Sequence, residues 1–285
     1  ASYRPFQKSW LYTDKMFVEA PSLTMQFFPE GKTNLVIVVP APSDRHNPGV
    51  YITDSIPDFH LEGVGVQCFP LYNFIEKQTD SLFDTVSDSQ YAVSQEACAQ
   101  FSKHYGFPID GEMIFYYTFG VLSSPEYQET FRADLKKQLP HIPMASDFAA
   151  FERAGRDLAK LVLGYESLPE YQLEIESKGT SDFQVDKMSI EKTGELLSLK
   201  YNATTKFVGI PDEAFSYKVF GRSPLEWVVA RYQKKTDKNN GILQDPNLWS
   251  SEAGDEKYIM SLVRKSITLS IEANAVVSSL PKLQN

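Results

Sequence analysis

Three charged side chains near the start of the chain have a spacing with chemical meaning: Asp14, Glu30 and Lys32. In an Asp…Glu-x-Lys pattern two carboxylates can hold Mg²⁺ while the lysine stabilises or activates an attacking water, as in many nucleases. The spacing is permissive, and in a chain this rich in charge it arises easily by chance. Glu30-Gly31-Lys32 also reads as a surface turn. The other catalytic signatures are missing from the sequence. No Gly-rich loop ends in Gly-Lys-Ser/Thr, "GVGVQ" at Gly63–Gln67 lacks the third glycine of a dinucleotide fingerprint, and there is no Gly-x-Ser-x-Gly elbow. His46, His60, His104 and His141 are never paired at a metal-binding interval. Cys68 and Cys98 have no ligand-spaced Cys or His beside them and are expected as two buried, reduced thiols. No metal site is expected and no catalytic residue is assigned.

Charge patterning points to a different chemistry. With 28 basic and 37 acidic residues the formal net charge is -9, which opposes general binding to polyanions through long-range repulsion. The distribution is uneven. Between Lys218 and Lys238 the cations Lys218, Arg222, Arg231, Lys234, Lys235 and Lys238 face only Glu226 and Asp237. Glu76, Asp80, Asp84, Asp88 and Glu96, by contrast, meet only Lys77. Lys234, Lys235 and Lys238 are candidate phosphate contacts, because "KKTDKNNG" places lysines and asparagines on a loop, where they can reach phosphates and base edges. The preceding segment is better explained by structure. Ser223 and Glu226 make a capping box, Pro224 takes the first helical position, and Leu225, Val228, Val229 and Tyr232 form an apolar face. Lys234 and Lys235 then suit the negative end of the helix dipole, and Trp227 is expected in the core rather than as a base-stacking platform.

The elements that must position these groups make an α+β chain. Mixed or antiparallel sheet regions lie at both ends with a helical unit between them, in a single large domain or two tightly packed subdomains. Residues 1–80 read as β-rich: "NLVIVVP" is a buried strand, "VYITD" alternates after a turn-rich stretch, and "GVGVQCFPLY" is extended until Pro70 interrupts it. Residues 81–170 read as helical. Ser94 caps one helix that Gly106 ends. Ser124 and Pro125 start another, with Tyr127, Phe131 and Leu135 on one face and Lys136 and Lys137 in its last turn. A third buries Phe148, Phe151, Leu158, Leu161 and Val162, and Gly164 closes it. Residues 171–285 read as an antiparallel meander through "KMSI", "LLSLKYN" and "KFVGI", then C-terminal helices. The chain has 285 residues, 42% of them hydrophobic and 13% aromatic, enough for a large core. No apolar run is long enough to cross a membrane and no signal peptide opens the sequence, so a cytoplasmic location is expected.

Five segments in order, "SYRPFQKSWLYTD", "QCFPLY", "FYYTFGVLSSPEYQETFRADLKKQLPHIP", "FERAGRDLAKLVLGYE" and "IPDEAFSYKVFGRSPLEWVVARYQKKTDKNNGILQDPN", span nearly the whole chain. Together they resemble the C-terminal region of the single-polypeptide Type ISP restriction-modification enzymes and related helicase-like proteins. The resemblance implies a target-recognition domain that reads double-stranded DNA. A nuclease, a helicase-like ATPase and an adenine N6-methyltransferase would lie upstream in the parent protein, with Ala1 close to a domain junction. S-adenosylmethionine, ATP and Mg²⁺ would serve those parts and no cofactor this one, since neither an Asn-Pro-Pro-Tyr motif nor a helicase box occurs here. The upstream methyltransferase is the implied partner. Because the shared segments look like scaffold, base-reading residues are expected where the resemblance lapses: Arg45, His46 and Asn47, Lys178 in the Ser177–Asp182 loop, and Asn202 and Lys206 in "YNATTK". A scaffold that packs on the methyltransferase without touching DNA is the competing reading.

Overall fold

The computed structural model describes residues 1–14, 16, 23–43, 47–63, 65–74, 90–179, 182–194, 196–236, 238 and 241–283. The chain divides into two compact units, Ala1–Leu163 with Val276–Asn285, and Gly164–Ala275.

In the first unit β1 (Ser2–Arg4) pairs antiparallel with β2 (Gln7–Lys8). The intervening turn holds buried Phe6 at φ 58, a left-handed conformation uncommon for a side-chain-bearing residue. A three-stranded antiparallel sheet follows, with β3 (Val36–Pro40) between β4 (Tyr51–Thr53) and β5 (Val66–Pro70). Val36, Ile37, Val38 and Val39 are all buried, as the unbroken β-branched run predicts for a central strand. Pro70 ends β5, where its missing N–H costs least. β6 (Tyr72–Asn73) pairs with β7 (Gln90–Tyr91).

Helices make up much of the rest of the described part of this unit. α1 (Gln95–Tyr105) has the expected ends: the Ala97 N–H donates to Ser94 Oγ, and Gly106, at φ 78, donates its N–H to the Ser102 carbonyl. α2 (Gly111–Ser123), capped by Asp110, is buried along most of its length. α3 (Pro125–Thr130) starts on Ser124 as predicted but ends at Thr130. Of its expected apolar row only Tyr127 is fully buried. The row therefore lacks the burial to hold a longer helix, and Lys136 and Lys137 lie in hydrogen-bonded turns instead of a last helical turn. α4 (Phe148–Leu163) buries Phe148, Phe151, Leu158 and Val162, with Leu161 half-buried. Gly164 sits at φ −90, so α4 runs into a single tight turn rather than a left-handed cap. α2 and α4 cross backbone to backbone at Gly120 and Gly155. A Cβ on Gly155 would lie 1.8 Å from the Tyr116 carbonyl oxygen, and one on Gly120 would lie 2.1 Å from that of Phe151. Three tyrosine hydroxyls tie down the segment that precedes α4: Tyr105 donates to the Ala145 carbonyl, Tyr117 to that of Pro143 and Tyr127 to that of His141.

The second unit is built on a four-stranded antiparallel sheet, ordered β8 (Glu174–Ser177), β11 (Thr205–Ile210), β10 (Leu196–Lys200), β9 (Ser189–Thr193). The last three are the predicted meander, and β8 adds an edge. Leu199, Tyr201, Thr205 and Phe207 are buried. α5 (Pro224–Arg231) carries the predicted capping box in both directions, Glu226 N–H to Ser223 Oγ at 3.2 Å and Ser223 N–H to Glu226 Oε2 at 2.8 Å. It is entered through a two-residue turn at Phe220 (φ 51) and Gly221 (φ 77). β12 (Lys235–Thr236) and β13 (Leu243–Gln244) form a separate hairpin, followed by α6 (Asn247–Glu252) and α7 (Tyr258–Ser278). No described helix is long and apolar enough to cross a membrane.

Candidate nucleic-acid interface

The second unit brings three of the sequence-predicted residues to one end of its sheet. Cross-strand pairing places Ser177 opposite Thr205, and the Lys178 N–H donates to the Thr204 carbonyl at 2.9 Å, which leaves the Lys178 side chain exposed beside the β10–β11 turn. Asn202 forms the core of that turn and is only 6% exposed. Its Nδ2 donates to the carbonyls of Asp182 and Gln184, each at 2.9 Å, while Oδ1 accepts the amides of Thr204 and Thr205 and the Thr204 hydroxyl. Every hydrogen-bonding position of the amide is thereby engaged. This corrects the expectation for Asn202, which positions the loop and has no edge left for a base. Lys206 lies opposite Lys200 and Glu176 on the outer sheet face and pairs with Glu191 at 3.3 Å. With Glu174 and Glu176 exposed on β8, that face repels phosphate as much as it attracts it.

The segment from Arg231 to Asn247 differs from its predicted form. α5 ends at Arg231, and Tyr232 leaves the helix at φ −93, ψ 65, so Lys234 and Lys235 do not sit on the helix dipole. Lys234 is instead the foot of the β12–β13 hairpin: its N–H donates to the Asp186 carbonyl and its Nζ pairs with Asp245 at 3.3 Å. Burial acts to raise the Asp245 carboxyl, but hydrogen bonds from Asn247 and Lys234 and the Lys234 charge hold it below its ordinary value. Asn247 secures the other foot, accepting from the Val185 N–H and donating to its carbonyl. Beyond these anchors Lys235 and Lys238 are exposed, as are Ile242 and Leu243. The charge pattern located the lysines; the exposed aliphatic pair carried no signal as isolated residues in a polar sequence. Trp227 is a core residue, as expected, with its indole N–H on the Val219 carbonyl and the Arg222 and Arg231 guanidinium groups over its ring.

In the first unit, Arg45 and His46 lie outside the described residues. Asn47 is exposed and shares a shallow crevice with Arg132 and Lys136. The sequence did not pair these two cations with the Asn47 loop, because nothing local links positions 47 and 132. Arg132 is partly neutralised by Glu129 at 2.7 Å. The same unit exposes a cluster of large apolar side chains: Tyr3, Trp10, Leu11, Tyr12 and Phe59 line one open cavity of about 290 Å³, and Trp10 is 80% exposed.

The carboxylate pattern near the start gains no support. Asp14 accepts the Met16 N–H and Glu30 sits in a turn closed by the Lys32 N–H on the Pro29 carbonyl. Among the described residues no three His, Cys, Asp or Glu groups are placed to hold a metal. Cys68 and Cys98 are free thiols, half-buried rather than buried, and burial pushes Cys68 up to about 12.

The sequence matches the Type ISP C-terminal specificity domain over residues 1–262. Three solved structures share the fold. A nuclease-deletion mutant of the Type ISP restriction-modification enzyme LlaGI, in complex with a DNA substrate mimic, is 30% identical with a TM-score of 0.80, over 99% of this chain and 24% of that one. The ATP-dependent Type ISP enzyme LlaBIII bound to DNA is 30% identical with a TM-score of 0.85, over 99% and 18%. A DrdV–DNA complex is 25% identical with a TM-score of 0.82, over 99% and 28%. The chain thus spans little more than a quarter, at most, of the length of these proteins. No curated protein matches it. From the match over residues 1–262 and a fold shared across 99% of its length, the chain belongs to the Type ISP C-terminal specificity domain family.

Proposed function

We propose that the chain is the DNA target-recognition domain of a single-polypeptide restriction-modification enzyme acting in the cytoplasm. The observation that carries this reading is full-length structural similarity to proteins solved with DNA, combined with the specificity-domain match. In this reading the domain is not itself a catalyst. Cleavage, ATP hydrolysis and adenine methylation, with their Mg²⁺, ATP and S-adenosylmethionine, belong to other parts of the polypeptide. Asn47, Lys178, Lys206, Lys234, Lys235 and Lys238 remain the candidate DNA-facing residues, with Lys206 and Lys234 each sharing its charge with a carboxylate. Exchange of this domain between two enzymes of different specificity tests the proposal: the methylated sequence should move with the domain. An unchanged methylation site after exchange would overturn it.

A second reading, packing against the methyltransferase, is favoured by one observation, the exposed cluster of Tyr3, Trp10, Leu11, Tyr12 and Phe59. Apolar patches of this kind mark interaction surfaces. The two readings are compatible, because one face can dock on the neighbouring domain while another meets DNA. Only the scaffold-only version predicts that domain exchange leaves the recognised site unaltered.

A further inference from the structure

We infer that the β12–β13 hairpin enters a DNA groove, with Lys235 and Lys238 against phosphates and Ile242 and Leu243 against base edges; the inference rests on the DNA-reading function proposed above. The two strands pair with each other and with no other strand of the described chain. Pairing sets Lys235 opposite Gln244 and Thr236 opposite Leu243, so the ribbon has one polar face and one that carries the aliphatic side chain. All four residues are exposed.

Two properties distinguish this hairpin from an ordinary surface turn. Its feet are fixed, through the Lys234–Asp245 ion pair, the Lys234 N–H on the Asp186 carbonyl and the paired Asn247–Val185 hydrogen bonds. Ile242 and Leu243, consecutive in the chain at the start of β13, are nevertheless 61% and 55% exposed. Burying such a side chain stabilises by roughly 1.5–3 kcal/mol, a gain this fold forgoes at two adjacent positions. An anchored ribbon with exposed aliphatic groups suits an occupant that supplies its own apolar contact. A protein surface would satisfy the aliphatic pair alone. Exposed Lys235, whose cross-strand neighbour is Gln244, and exposed Lys238 add positive charge that suits a polyanion. Duplex DNA meets both requirements. Its major groove admits a two-stranded ribbon between rows of phosphates, and the thymine methyl group offers apolar contact at the groove floor.

The test uses the full-length enzyme that carries the domain, with cognate and random duplexes titrated across salt concentrations. K235A/K238A should weaken both duplexes alike and lower the slope of log affinity against log salt by about 2, one counterion-releasing contact for each lysine. I242S/L243S should leave that slope unchanged while lowering the preference for cognate over random DNA by about tenfold, the scale of one lost base contact. All four side chains are exposed, so each variant should keep the wild-type melting temperature. Full cognate preference in I242S/L243S, or an unaltered salt slope in K235A/K238A, overturns the placement of the hairpin. Domain exchange separates the two levels of failure. If exchange moves specificity while the hairpin variants are silent, only the hairpin assignment falls; if exchange also changes nothing, the DNA-reading function falls with it.

Discussion

Replacing Asn202 with alanine tests whether a polar residue in a candidate recognition loop reads a base or builds the loop. The side chain makes five hydrogen bonds at 2.8 to 3.1 Å, two as donor and three as acceptor, and all end within the second unit. Truncation leaves the carbonyls of Asp182 and Gln184 and the amides of Thr204 and Thr205 without this partner. A typical hydrogen bond contributes about 1 kcal/mol net, and a buried group left unpaired costs about 1–3 kcal/mol. Water can reach some of the freed groups, because Asp182 is exposed and Thr204 half-buried. The expected loss is therefore about 3 kcal/mol rather than the full sum. For a compact unit of roughly a hundred residues unfolding on its own, that corresponds to a melting temperature lower by about 10–20 °C. N202D sharpens the test. It keeps the acceptor bonds but turns a carboxylate oxygen toward the two carbonyls, so it should destabilise more than N202A despite its closer shape. Calorimetry on both variants gives the ordering, and amide exchange at Thr204 and Thr205 localises it. A wild-type melting temperature for N202A, accompanied by lost sequence discrimination, would refute the positioning role and restore Asn202 as a base reader.

Two further outcomes follow from the geometry. G155A puts a methyl group 1.8 Å from the Tyr116 carbonyl oxygen and 3.1 Å from the Gly120 nitrogen, so α2 and α4 must move apart. Overpacking against backbone should cost about 3 kcal/mol or more, visible as a lowered denaturant midpoint, and a variant as stable as wild type would mean that the crossing is looser than described. For Asp245 the folded-state carboxyl is held below its ordinary value, so its contribution is present above the unfolded carboxylate range, about 3.9, and is lost as pH falls through the lower folded value. Amide protection at the paired residues Lys235, Thr236, Leu243 and Gln244 should fall in acid by an amount of about 1 kcal/mol or less, the scale of a partly exposed pair, and D245N should abolish that pH dependence. Equal acid sensitivity in D245N would assign the effect to another group.

The parts of the fold that were legible in the sequence are those whose reasons are local. Ser94, Gly106, Ser124 and the Ser223–Glu226 pair act through their own neighbours, so the beginnings of α1, α3 and α5 could be read from a few letters. The meander was legible because β9, β10 and β11 are adjacent in sequence as well as in the sheet. α2 falls within the stretch read as helical, but without bounds of its own. Its sequence is apolar nearly all round, so the one-sided period that announces a surface helix is missing from the most buried helix of the first unit. β8 has no local signal, because "EIES" pairs with β11, a partner far along the chain. The same distinction applies to the candidate site. A turn containing Asn202 could be read, but not the direction its amide faces, which depends on Asp182 and Gln184. The lysines could be counted, but not the partner of Lys234, which lies across a hairpin at Asp245.

Those pairings decide what kind of contribution this domain can make to DNA binding. Several of its cations already face carboxylates: Arg4 faces Asp58, Arg156 faces Glu112 and Glu152, Arg264 faces Glu170, Lys206 faces Glu191 and Lys234 faces Asp245. A charge shared in this way attracts a phosphate weakly, because binding must first compete with the internal partner. The remaining excess of carboxylates gives the net charge of -9, which works against any long-range approach to a polyanion. Affinity and discrimination are separable, since phosphate contacts position a protein while base contacts specify its site. On the function proposed above, a domain that spans 18% to 28% of its structural relatives can leave most of the phosphate contacts to other parts of a longer polypeptide. What it must then supply is a rigid scaffold and a few exposed groups carried beyond it, and the anchored hairpin with Lys235, Lys238, Ile242 and Leu243 has that form.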